Sequence, residues 1–398
     1  MIDTVVVPIL KILIVLNATL VGVTYMVLLE RKVIAWAQSR LGPMRVGPYG
    51  VLQPVADAIK LMLKEDITPV KADKWVFTAA PIISMVPALI VYAVIPFGPE
   101  VNLFGRRVAL YITDINVGLL YIVSVASVGV YGIILAGYAS NSKYPLLASL
   151  RASAQLISYE LPLAFAIMGV VILTGTLNLT GVVDWQAAVG MPLAVFQPLG
   201  LLIFLIASLA EMGRTPFDIP MAESEVVGGP WVEYSGMRWA IFFLGEYASL
   251  FASCALMVVF YLGGWHLPIV AISDPLVGGV VGAIWFMVKT FVLIFAVFWL
   301  RGTLPRLRID QLMDFAWKMM IPFSILNLVL TAAAVVYAQR TTSVPWIGLA
   351  YAAAFFFVYL IYISFFLKLT IVVLVINNQI TFCNSTKVRK CFSLFRFV

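Results

Sequence analysis

The sequence predicts an all-α polytopic membrane protein, with an eight-helix transmembrane core, a ninth C-terminal helix and an amphipathic helix on the cytoplasmic side. Three observations predict it. Of 398 residues, 63% are hydrophobic and 11% charged, where a soluble domain has roughly 45–50% and about 25%. The mean hydropathy is +1.03. Apolar runs repeatedly exceed the ~18–20 residues that cross a ~30 Å hydrocarbon core.

Taken in order, stretches that avoid charge set spans near 5–29, 76–97, 115–137, 155–176, 193–210, 239–262, 279–300, 317–337 and 346–376. The first follows Asp3, with no basic region before it and no small-residue cleavage site after a short apolar stretch. It therefore reads as a retained helix and not a signal peptide. The last is longer than one crossing needs and implies tilt, a kink or an interfacial portion. No repeat of 20–50 residues, low-complexity tract or soluble domain interrupts the pattern. The chain reads as one helical bundle.

The loops set the orientation. One side collects Arg31, Lys32, Arg40, Arg45, Lys60, Lys64, Lys71, Lys74, Lys143, Arg151, Arg214, Arg238, Arg301, Arg306, Arg308, Lys387, Arg389, Lys390 and Arg396. The other has Arg106, Arg107 and Arg340. By the positive-inside rule the N-terminus lies outside and the long basic loops face the cytoplasm. The net charge of +7 is mostly this asymmetry, with an added pull toward anionic lipid heads. Nucleic acid is not an expected partner.

Three cysteines, Cys254, Cys383 and Cys391, and one histidine, His266, cannot complete a four-thiolate cluster or zinc site. No metal site is expected in this chain, and any redox metal belongs to another. His266, in an outer loop without acidic or cysteine neighbours, reads as a surface residue.

Three stretches on the basic side carry chemistry. The first runs from Glu30-Arg31-Lys32 through Arg40 to Gly42-Pro43 and Gly47-Pro48, where the Gly-Pro steps fix turns and prevent helix. From Val51 it turns amphipathic, with Leu52, Val55, Ile59 and Met62 on one face and Asp57, Lys60 and Lys64 on another. Two readings stand: a helix lying on lipid headgroups with snorkelling lysines, or the lid of a pocket at membrane level. Asp57 is not what an anionic surface selects.

The second stretch holds Glu211, Asp218, Glu223, Glu225, Glu233 and Glu246, six of nineteen acidic residues, with Arg214 and Arg238 as its basic residues. A solvated loop would not be expected to hold Phe217, Ile219, Val226, Val227, Trp231 and Tyr234 among its acids. Carboxylates in apolar surroundings have raised and coupled proton affinities, which suits proton uptake or relay. The third stretch, Arg301 to Met313, has Arg306, Arg308 and Asp310 before an apolar restart, as in a loop folded back on protein. Glu160, Glu246 and Lys289 lie within spans, and Glu211 at a span's end. Such groups should face the bundle interior and have partners, whether for relay or as structural ion pairs.

These strings, in order and spacing, resemble the quinone-chamber membrane subunit of respiratory complex I, the proton-pumping NADH:quinone oxidoreductase. The resemblance covers about 30 to 335. It rests on Glu30-Arg31-Lys32, Arg40-Leu41-Gly42-Pro43, Gln53-Pro54 with Ala56-Asp57 and Lys60-Leu61, and Arg214-Thr215-Pro216-Phe217-Asp218. Glu223-Ser224-Glu225, Glu233-Tyr234-Ser235, and Pro305-Arg306 with Arg308 and Asp310-Gln311-Leu312-Met313 complete it.

The resemblance implies a translocase subunit in a bacterial inner membrane, with quinone as substrate entering from the bilayer through a tunnel that this chain largely forms. FMN and iron–sulfur clusters would sit on partner subunits, and no catalytic residue on this one. Its partners would be the other membrane subunits, the peripheral iron–sulfur subunits and lipid. By position, Arg31, Arg40, Asp57 and Lys60 look like quinone-binding residues. Glu30, Arg151, Glu160, Glu211, Arg214, Asp218, Glu223, Glu225, Glu233 and Glu246 look like the proton-coupling path. Arg301, Arg306, Arg308 and Asp310 look like a loop docking to the peripheral arm. The resemblance also implies a division into a membrane domain at 1–338 and a C-terminal extension at 339–398, with one more hydrophobic segment and a basic tail.

The chain departs from the family pattern in two places: at Met221, where a further carboxylate is usual, and at Gly229-Pro230-Trp231-Val232, in place of an aromatic-Asn pair. The related membrane subunit of an energy-converting hydrogenase shares the scaffold, but the acidic loop and the segment from Arg40 to Lys64 favour the quinone enzyme. A cation transporter is disfavoured, because intramembrane charge gathers near one face and no paired broken helices mark two halves. An inert assembly scaffold would not need so many buried carboxylates.

Overall fold

The computed structural model describes residues 7–103, 106–218, 228–266 and 275–341. The chain divides into two compact units, Met1–Val336 and Tyr337–Val398. Of the second, 337–341 are described, and the ninth span expected at 346–376 lies outside the described residues.

The first unit is helical almost throughout. Helix α1 (Val7–Ala37) is followed by a turn at Pro48–Gly50 and by α2 (Gln53–Leu63), the expected amphipathic helix. Then come α3 (Lys74–Ile90), a two-stranded antiparallel hairpin β1 (Glu100–Leu103) and β2 (Arg106–Ala109), α4 (Gly118–Ala139) and α5 (Lys143–Thr174). Helices α6 (Leu179–Val189), α7 (Leu193–Phe196) and α8 (Pro198–Glu211) lead to α9 (Gly236–Tyr261) and α10 (Pro275–Thr303). The last is α11 (Ile309–Phe315), continued through a π-helical turn, Ala316–Met320, into α12 (Ile321–Thr341).

Seven of these helical segments are long and apolar enough to cross a membrane, and Pro198–Glu211 is a shorter apolar one. Together they match the first eight expected spans. The fifth differs in a telling way. The apolar run 193–210 is not one helix but breaks at Gln197, whose backbone (φ −132°, ψ 62°) leaves the helical region. Pro198 is the reason, because its ring disfavours helical geometry in the residue before it. At 14 residues, α8 is about 21 Å long and falls short of a full hydrocarbon core.

Local signals set the other boundaries. Asp73 caps α3 by accepting from the Trp75 amide at 3.2 Å, and Asn178 caps α6 by accepting from the Thr180 amide at 3.1 Å. The turn before α2 needs glycine at position 50. Its φ is +79°, and a Cβ there would lie 2.2 Å from the Pro43 carbonyl oxygen. Helices α3 and α4 pack closely enough that a Cβ on Gly132 would meet the Ser84 nitrogen at 2.7 Å.

Connections gather at two ends of this bundle. At one end, the Ile67 amide donates to Ser235 Oγ at 3.0 Å, Asn141 Nδ2 to the Lys71 carbonyl at 3.1 Å, and the Leu307 amide to the Pro216 carbonyl at 3.1 Å. The loops after α1, α2, α4, α8 and α10 therefore share a face. At the other end, Thr180 Oγ1 donates to Asp114 at 3.2 Å, and Lys289 Nζ to the carbonyls of Leu262, Gly264 and His266 at 2.7, 3.0 and 3.3 Å. Buried side chains tie the middle together: Tyr92 donates to the Ala248 carbonyl at 2.6 Å and Tyr159 to the Leu312 carbonyl at 3.0 Å.

Candidate functional site

The charged loops of the first face close over a buried cluster centred on Glu30. Near the loop-side end of α1, Glu30 is 6% exposed. Its carboxylate accepts from the Tyr247 hydroxyl on α9 and from the Arg301 guanidinium on α10. Arg214, 4% exposed in the loop after α8, lies 3.8 Å from Glu30 and 4.0 Å from Glu246 on α9. Its guanidinium carbon stands 4.4 Å from the Tyr247 ring centroid, a cation–π contact in a desolvated setting. Burial alone would weaken the Arg214 proton, but Tyr247, Glu246 and Glu30 hold it above its ordinary value.

Gln155 on α5 positions this loop by donating to the carbonyls of Ala210 and Phe217, both at 2.8 Å. That delivers Asp218, 4% exposed, to Arg306 at 3.4 Å. Burial pushes the Asp218 carboxyl up, opposed by Arg301, Arg306 and Arg214. Three cations and three carboxylates thus interlock among segments distant in sequence. Removing one partner of a buried pair typically costs about 3–5 kcal/mol, because the other charge is left uncompensated.

Inward of the cluster is a cavity of about 180 Å³ between α3, α4, α5, α8 and α9. Glu211, Glu246 and Gln155 line it among mostly apolar side chains. Glu160 on α5 accepts from the Ser127 hydroxyl on α4 and is within electrostatic reach of Glu211. Ionisable groups therefore run from the loops to carboxylates bordering a space inside the bundle.

On the outer rim, Arg31 and Asp57 pair at 2.7 Å, with Gln53 donating to Asp57 at 3.3 Å. This joins α1 to α2, whose apolar Val55, Ile59, Met62 and Leu63 are exposed. Arg40 and Lys60 are exposed, and Arg40 donates to Gln38 at 2.7 Å. Asp66, just past α2, pairs with Arg238 in the first turn of α9 at 2.9 Å.

Of the sequence-chosen residues, the structure brings together Glu30, Arg214, Asp218, Glu246, Arg301 and Arg306, with Glu211 at the adjoining cavity. Arg301 and Arg306, expected at a docking loop, engage Glu30 and Asp218. Arg308 and Asp310 are exposed at the start of α11, and Glu233 is half-buried. Arg151 lies on α5. Glu223 and Glu225, with Met221, lie outside the described residues. Sequence reasoning missed Tyr247 and Ser127. Tyr247 stands next to Glu246, the available signal for it, whereas Ser127 carried none.

An α-helical integral membrane protein with a buried charge cluster beside a mostly apolar cavity that two glutamates border is the class this fold and site define. The family model described as NADH dehydrogenase matches residues 10–332. Three relatives are H-type subunits of NADH-quinone oxidoreductases. One from Geobacter metallireducens is 47% identical over 81% of this chain and 94% of its own length. That of Brevibacillus brevis is 47% identical over 79% and 89%. That of Geobacillus kaustophilus is 48% identical over 80% of this chain and 90% of its own. The chain belongs to the NADH dehydrogenase family, as a membrane subunit of an NADH-quinone oxidoreductase.

Proposed function

We propose that this chain forms most of the quinone chamber of its complex and couples quinone reduction to proton translocation. The observation that carries the reading is the buried charge cluster of Glu30, Arg301, Arg214 and Glu246, which has the Arg31–Asp57 pair on its outer rim and reaches the cavity through Glu246, where Glu211 also lines the wall. Quinone reduction takes up two electrons and two protons. FMN and iron–sulfur clusters on partner subunits supply the electrons, while this chain's residues bind and orient the quinone and govern its charge environment.

Arg31, Arg40, Asp57 and Lys60 line the quinone's way in, and the exposed apolar face of α2 suits its isoprenoid tail. Negative charge added near Glu30 acts on Glu246 through Arg214, which lies within 4.0 Å of both, and so carries chemistry at the rim to the cavity. Glu160, Glu223, Glu225, Glu233 and Arg151 belong to the same path. Arg308 and Asp310, with the outer edges of Arg301 and Arg306, meet the peripheral iron–sulfur subunits. The N-terminus faces outward from a bacterial inner membrane, residues 1–338 carry the function, and 339–398 are an extension.

Asp57→Asn and Arg31→Ala in the assembled complex test this reading. Quinone reduction should fall about tenfold, the size of one lost charge-assisted contact, while electron transfer from NADH to a hydrophilic acceptor persists. Equal loss of both activities with assembly intact would overturn the assignment.

A further inference from the structure

The helix break at Gln197 is buried, and it is not part of the charge cluster. Gln197 is 0% exposed and Asn327, on α12, 1%. Both nitrogen and both oxygen atoms of these two amides are buried without a hydrogen-bond partner from the protein. Glycines open the space around them. A Cβ on Gly169 of α5 would lie 3.1 Å from Gln197 Nε2 and 3.2 Å from Asn327 Nδ2. A Cβ on Gly200 of α8 would lie 3.0 Å from Tyr261 Oη, 3.3 Å from Gln197 Oε1 and 3.4 Å from Asn327 Nδ2. Two amides and a phenol thus converge on one point where α5, α8, α9 and α12 meet.

Buried amides that the protein leaves unpaired are satisfied in folded proteins by ordered water, which needs two to four polar partners. Here the partners are present: two amide nitrogens, two amide oxygens and the Tyr261 hydroxyl, which also donates to the Ala166 carbonyl at 3.3 Å. The start of α8 adds backbone donors, since the first amides of a helix have no partner four residues back. Inside a membrane bundle, broken helix is tolerated where it is buried in protein or borders a hydrated cavity. The site is also close to the acid-lined cavity. Phe204, which lines the cavity, is one turn along α8 from Gly200, about 6 Å away.

We propose that Gln197, Asn327 and Tyr261 form a buried water-binding site, and that it extends the hydrated interior from the Glu211–Glu246 cavity toward the outer face. Resting on the proton-coupling reading above, its use is as a step in an outward proton path within this chain. The amides do not ionise; they hold water molecules whose hydrogen bonds a proton can follow. The Phe204 ring lines the cavity and stands 5.8 Å from the Tyr261 ring, so it borders both spaces.

High-resolution density of the intact complex tests the site without any assay of activity. Water bridging the Gln197 and Asn327 amides is expected. A direct amide–amide hydrogen bond with no water between would overturn the site. Hydroxyl-radical footprinting gives a second readout: Tyr261 should be labelled in the wild-type complex and lose that labelling in the Gln197→Leu, Asn327→Leu double variant. Labelling unchanged by the double substitution would overturn it as well. The proton role is read separately in proteoliposomes. The double variant should pump fewer protons per quinone reduced with quinone reduction retained. An unchanged ratio would overturn the role in the path while leaving the proposed function standing.

Discussion

Arg214 lies with its guanidinium carbon 4.4 Å from the centre of the Tyr247 ring, and that same tyrosine's hydroxyl donates to Glu30. One side chain therefore presents a π face to a buried cation and a proton to the carboxylate 3.8 Å from that cation. Arg214→Ala should lower the stability of the membrane domain by about 3–5 kcal/mol, because Glu30 and Glu246 lose a desolvated partner. Arg214→Lys should recover only part of this, since an ammonium cannot stack as a planar guanidinium does. Thermal unfolding of the detergent-solubilised complex reads both, and a lysine variant equal to wild type would remove the stacking contribution.

Asp218 gives a pH signature. Burial raises its carboxyl despite Arg301, Arg306 and Arg214, so the folded value exceeds the unfolded ~3.9. Its contribution to stability is complete below the unfolded value and is lost as pH rises through the folded one. Asp218→Asn should abolish that dependence. The melting temperature of the variant relative to wild type should be highest at neutral pH and decline on acidification. A variant that gains on wild type as pH falls would contradict the sign.

The Asp66–Arg238 pair at 2.9 Å ties the end of α2 to α9, which also carries Glu246 and Tyr247. Half-exposed pairs of this kind contribute about 0–1 kcal/mol. Arg238→Ala should therefore leave the melting temperature nearly unchanged while speeding amide hydrogen exchange around 64–67. Unaltered exchange there would show that the Ser235 hydrogen bonds to Ile67 and Glu65 suffice.

The family resemblance implies a carboxylate at the position of Met221, so the remaining acids are expected to carry a greater load. Glu225→Gln should impair coupled quinone reduction, and Met221→Glu in that background should restore part of it, because added charge raises the proton affinity of its neighbours. A Glu223→Gln, Glu225→Gln double variant with normal pumping would move the relay to Glu160, Glu211 and Glu246.

Orientation is checked by fusion. A reporter active only in the cytoplasm should work after Asp310 and fail after His266, since their loops lie at opposite ends of the bundle. The reverse result would invert the topology.

What the sequence by itself determined was where helices run and which residues ought not to face lipid. Hydrocarbon imposes its demand locally: about twenty apolar residues make a span whatever surrounds them, and a charge inside one needs a partner whichever partner it finds. The eight spans, the amphipathic Gln53–Leu63 and the need of Glu246 for a partner inside the bundle were legible for that reason. The break at Gln197 was missed, because an apolar run of sufficient length concealed the signal that Pro198 carries. Partner choice belonged to the tertiary structure. Glu30 and Arg301 are 271 positions apart, and nothing in either neighbourhood names the other. They meet because α1 and α10 pack side by side and end at the same face, where a low dielectric makes an unpaired charge costly and a paired one tolerable. The same packing gave Arg301 and Arg306 their partners Glu30 and Asp218, and brought Gln197 to Asn327 where four helices meet.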